Sequence, residues 1–246
     1  MRKAETQSTP REGRRMMIDL SVHIERMKDH IEADELVCGT GFEDGKGCFI
    51  GCTFDRYDHE HAALSTGVPE WLWYLADELH ENMSRSVDRG DMALKLLHGF
   101  EKCEDFDALE RAIHIYIQRQ NIERVTALEI DAALKSEVLA AIDAVISCHE
   151  AALPVDAPEW AETRSAAGAA AEAAQVSVTL ESSSAELSAA LAASSAAEAE
   201  DWSALAHWSA RCSAAEAAAY DDIGQELLRL LGVYGMALSE AVEAVE

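Results

Sequence analysis

The stretch GKGCFIGCTFDRYDHEH, residues 45–61, sets Cys48 and Cys52 four positions apart and follows them with His59 and His61. Thiolate sulfur and imidazole nitrogen are good donors to zinc, and a structural zinc site needs four of them converging tetrahedrally. Cys38, Cys48, Cys52 and His59 supply such a set, with His61 as the alternative to His59. The C-x-x-x-C spacing suits one face of a helix better than a zinc knuckle, and no C-x-x-C pair accompanies it.

The same residues suit nucleophilic catalysis. If Gly47 opens a helix, Cys48 sits where unpaired backbone amides and the charge of Lys46 would favour a thiolate. His59 or His61 would act as base, with Asp58 orienting the ring. The plainer reading is packing, with small thiols filling space beneath glycine turns. A phosphate loop is excluded, because Lys46 is followed by Gly47, and Glu43 and Asp44 would stand beside any phosphate. His80, His98, His114 and His149 each stand alone on helical stretches and read as packing or surface residues.

Helices must hold these groups in place. Met17, Leu20, Ile24, Met27 and Ile31 recur at helical spacing. Residues 38–54 form a glycine-rich loop that runs into a short helix near Cys48. In STGVPEWLWYLADELHENM, Pro69 suits a first helical turn with Thr66 as cap, and Trp71, Leu72, Leu75 and Leu79 share a face. DMALKLLHGF, FDALERAIHIYIQRQN and VTALEIDAALKSEVLAAIDAVISCHEAA repeat the pattern of polar start, apolar stripe and charged far face. IHIYI alternates like a strand, but its flanks LERA and QRQN make it helical. PVDAPEW then interrupts any helix.

Beyond it, residues 161–220 hold 24 alanines and 11 serines, and large apolar side chains are scarce before residue 201. Alanine forms helix well and adds little to a core. The expected fold is therefore a mainly α helical bundle with a second, alanine-rich helical region. The expected organisation is a flexible basic tail (1–16), a helical domain (17–153), a proline-containing linker (154–160) and an Ala/Ser-rich helical region (161–246). Trp202 and Trp208 would anchor the last region against the first domain.

GKGCFIGC followed by GVPEWLWYLADELHENM, with an alanine-serine-rich tail ending in AYDDIGQELLRLL, resembles a family of bacteriophage and prophage proteins. The resemblance covers about half of the chain. It implies a phage or bacterial setting, hence a bacterial cytoplasm, and no particular activity.

Charge selects among functions. The chain has 246 residues, with 46 Asp and Glu against 20 Lys and Arg, a formal net charge of −26. Such a surface repels nucleic acid and anionic lipid and favours basic partners. No apolar run is long enough to span a bilayer. Six cysteines without a secretory signal read as reduced thiols. The leading expectation is an acidic interaction module, a DNA-mimic-like inhibitor of a basic host target such as a nucleic-acid-binding or defence complex. Trp71, Trp73 and Tyr74 would form its aromatic patch, two of them mostly core and one exposed. The alternatives are a small Cys/His enzyme or zinc protein using the 45–61 loop, and a helical assembly protein that forms homo-oligomers. No cofactor is expected, zinc being the one ion these donors suit.

Overall fold

Leu20, Ile24 and Met27 are buried along one side of the first helix, α1 (Ser21–Glu32), as their spacing dictates. The structure, a computed structural model, describes residues 18–84, 87–177 and 216–236. After α1 comes a small antiparallel hairpin, β1 (Phe42–Glu43) and β2 (Lys46–Gly47), with Phe42 opposite Gly47 and Glu43 opposite Lys46. It leads into α2 (Phe49–Phe54), whose six residues are all buried and which ends at Asp55 in the left-handed region.

The next helices are α3 (His59–Thr66), α4 (Glu70–Asn82), α5 (Arg89–Lys102), α6 (Phe106–Ala127) and α7 (Ala132–Glu150). Then follow α8 (Pro158–Ser177) and α9 (Glu216–Met236), so the described fold is mainly α. Four helices start on aspartate: Asp58, Asp88, Asp105 and Asp131 each accept a backbone N–H from the first turn of α3, α5, α6 and α7. Each such cap satisfies an orphan donor and contributes about 1 kcal/mol. Part of the carboxylate surplus is thus helix punctuation. Among the described residues, no helix is long and apolar enough to cross a membrane.

Two cores result. The first gathers α1–α5, the start of α6 and α9 around Trp73, Phe49, Phe100 and Tyr220. The second lies among the rest of α6, α7 and α8, where Val125, Val138, Ile142 and Val145 meet Trp160, Ala167 and Ala170. Ile113 and Ile117 of IHIYI are both buried on helical α6.

Three expectations are revised. Thr66 does not start α4; its hydroxyl donates to Ala62 O and closes α3, while Pro69 stands at the N-cap of α4. Packing crosses the expected 154–160 linker: residues 154–157 form a turn and residues 158–160 already belong to α8, which shares a core with α7, while α9 shares one with α4 and α5. Trp73 is fully buried in the first core and cannot form a surface patch. The basic tail 1–16, Trp202, Trp208 and most of the alanine-rich stretch lie outside the described residues.

Candidate functional site

Gly41, Gly47 and Gly51 of the 38–54 segment serve close packing, whereas Gly39 and Gly45 supply positive-φ turns. A Cβ on Gly51 would lie 1.9 Å from Gly41 O, and one on Gly47 would lie 2.6 Å from the same oxygen. Only glycine lets the hairpin press onto the first turn of α2. That approach allows Cys48 N–H to donate to Thr40 O at 2.9 Å and Gly41 O at 3.2 Å. It fixes Cys48 at the junction, 1% exposed, with Sγ 3.5 Å from Gly41 O.

Asp77 of α4 faces this junction, where it is buried although it is an acid. Its Oδ1 accepts Ile50 N–H at 3.5 Å, and its Oδ2 lies 3.4 Å from Nε2 of His59, the first residue of α3. Glu81, one turn further along α4, accepts Gly39 N–H on Oε2 at 2.6 Å. One ligand-capable atom from each of Cys48, Asp77 and Glu81 lies within 4.8 Å of the other two. The His59 ring is 6% exposed, stacked on Tyr74 at 4.0 Å, with the Tyr57 ring edge-on at 5.0 Å. Its Nε2 is buried without a well-formed hydrogen bond. Three donor groups from the β2–α2 junction and α4 therefore meet in one place, with His59 of α3 beside Asp77 at its edge.

The electrostatics are those of a crowded anionic pocket. Burial, and then the adjacent Asp77 carboxylate, raise the Cys48 thiol far above a free thiol. Burial alone would raise Asp77 as well, but His59, the Cys48 S–H and the Ile50 amide outweigh it and hold its carboxyl below the ordinary range. Burial raises Glu81, and Asp77 adds to that shift against the Gly39 amide. Burial and Asp77 also raise the Tyr57 hydroxyl. Left to protein groups alone, Cys48 is a protonated thiol, with Sγ 3.5 Å from Gly41 O and the Asp77 carboxylate beside it.

The residues singled out by spacing are partly brought together. Cys48 and His59 share Asp77. Asp58 does not orient His59; it caps α3 through His61 N–H and accepts from Arg56. The orienting carboxylate is Asp77. Cys52 turns away, with Sγ at 3.3 Å from Gly47 O, and Cys38 lies against His80 with Sγ at 3.6 Å from His80 O. Cys52 is thus a packed thiol. Of the aromatic trio, Trp71 is half-buried against the core and Tyr74 is exposed over His59. Asp77 and Glu81 carried no motif, although an aspartate one turn from both Trp73 and His80 on the buried face of α4 is the anomaly that marks it.

No protein-family model, no curated protein and no solved structure matches the chain.

Proposed function

We propose that the chain binds one divalent metal ion through Cys48, Asp77, His59 and Glu81, with zinc the best match. The observation that carries this reading is the convergence of three donors within 4.8 Å of one another, beside a buried His59 Nε2 that lacks a hydrogen bond. Donors that share a tetrahedral ion at about 2.0–2.3 Å stand roughly 3.3–3.8 Å apart, so Cys48, Asp77 and Glu81 need only modest rotation, while His59, outside that cluster and 3.4 Å from Asp77, turns in to complete the set. A sulfur, a nitrogen and carboxylate oxygens form a borderline set that suits zinc over calcium or magnesium. Buried charge is ordinarily paired or metal-bound, and a divalent cation would neutralise Asp77 and a Cys48 thiolate. The burial of Cys48 and Asp77 favours a clamp that pins the hairpin and α3 to α4 over a catalytic ion.

The test is metal content. Full-length protein stripped with a chelator and reloaded with zinc should retain about one ion per chain through gel filtration, by elemental analysis. Cobalt should give a thiolate charge-transfer band that is lost in Cys48→Ala. Retention of the ion by Cys48→Ala and by His59→Ala, or no retention by the parent, refutes the site.

A second reading keeps the acidic coat as the working surface. Exposed carboxylates stand on every described helix except α2, for example Glu25, Glu60, Asp91, Glu123, Asp143 and Glu162. Such a coat gives long-range attraction for a basic protein partner, in a phage or prophage setting a host nucleic-acid-binding or defence complex, without the single anionic face that would mark mimicry of DNA.

A further inference from the structure

A cavity of about 530 Å³ opens between α6, α7 and the turn into α8, remote from Cys48. Three features give it chemistry. Arg111 of α6 lines it, and the guanidinium has no hydrogen bond or ion pair with any described residue. By contrast Arg26, Arg56, Arg119 and Arg229 each hold a carboxylate, as an excess of acids makes easy. His149 of α7 also lines it, with Nε2 buried and without a hydrogen-bond partner. Its ring stacks on His114 at 4.4 Å and meets the edge of Trp160 at 4.8 Å. Trp160 Nε1–H donates to Leu153 O, which ties the indole to the turn and makes a fixed flat wall.

We propose that this cavity binds a small planar monocarboxylate, whose carboxylate pairs with Arg111 and whose ring lies among His149, Trp160 and Leu153. The volume falls within the range of small-molecule sites. A planar guanidinium matches a carboxylate in two parallel hydrogen bonds. Asp107 and Glu110 also line the cavity, so a second negative charge, as on a phosphate ester, would meet two carboxylates with one cation to offset them. Burial keeps both imidazoles neutral, His149 at about 4 and His114 well below its ordinary value, so they present flat surfaces and a lone pair in place of further cations. The inference is independent of the metal site.

The experiment titrates the full-length chain near neutral pH with benzoate, phenyl phosphate and benzylamine, by calorimetry and ligand-observed NMR. Benzoate should bind saturably and in preference to the other two. Arg111→Gln should weaken it roughly tenfold or more, the loss of a charge-assisted pair, with unchanged circular dichroism. Asp107→Asn should tighten it, and Glu25→Gln on α1, outside the cavity lining, should leave it unchanged. Absence of benzoate binding, equal binding by a folded Arg111→Gln, or preference for phenyl phosphate or benzylamine overturns the proposal.

Discussion

Replacing His149 by phenylalanine should remove an acid sensitivity built into the second core. The imidazole is wedged between His114 and the Trp160 edge, and burial followed by the nearby Arg111 charge depresses it from 6.5 to about 4. Between those values the unfolded chain binds a proton that the folded chain refuses, so stability falls as pH drops through this window. At about pH 5 the difference corresponds to about 2 kcal/mol, approaching about 3 kcal/mol at still lower pH. Phenylalanine keeps both ring contacts and does not titrate. Effects of Asp107, Glu110, Arg111 and His114, which share the cavity, are common to both proteins and cancel to first order. Urea unfolding followed by tryptophan fluorescence from pH 7.5 to about 5 gives the comparison, above the isoelectric region near 4.6 where association would interfere. The stability of the parent should fall relative to His149→Phe by about 2 kcal/mol over that range. A gap that stays flat would show that His149 takes up its proton in the folded state as readily as in the unfolded one, and the argument from burial would fail.

Two further outcomes are expected. Gly51→Ala sets a Cβ 1.9 Å from Gly41 O, a backbone atom that cannot swing aside, so despite better helix propensity it should destabilise by about 2–3 kcal/mol in denaturant unfolding. Unchanged stability would mean that the hairpin does not press on α2. Capture of a basic protein partner should weaken steeply as salt rises from low to physiological ionic strength, because exposed charges are screened over about 8 Å; affinity indifferent to salt in a titration series would remove the acidic coat as its cause.

The helices were legible because apolar periodicity is local. Leu20, Ile24 and Met27 announce α1, and the polar flanks of IHIYI identify α6. HEHAALST has no such stripe, only His59 and Ala62 being buried, so periodicity does not reveal α3 and Thr66 reads as a cap for α4 although it closes α3. The site was legible by residue type at Cys48 and His59, and no further. Their partners are two of 46 acids, and nothing local distinguishes Asp77 from Asp58 until α3 and α4 pack. The His114–His149 stack joins residues on two helices and follows from the pairing of α6 with α7, which single-helix periodicity does not encode. Cys48 reversed its expected chemistry for the same reason: position alone suggested a thiolate, but tertiary burial and Asp77 favour the thiol.

The docking of α9 bears on how the polypeptide is made. Tyr220, Ile223, Leu227 and Leu231 complete a core whose other walls come from residues before position 118, and Ser84 N–H reaches Asp221 across 137 positions. During vectorial synthesis the groove between α4 and α5 emerges from the ribosome long before the helix that seals it. Until then a nascent chain displays an oily cleft around Leu79, Met83 and Leu96, a stage at which holdase chaperones or a sister chain can compete with the native plug.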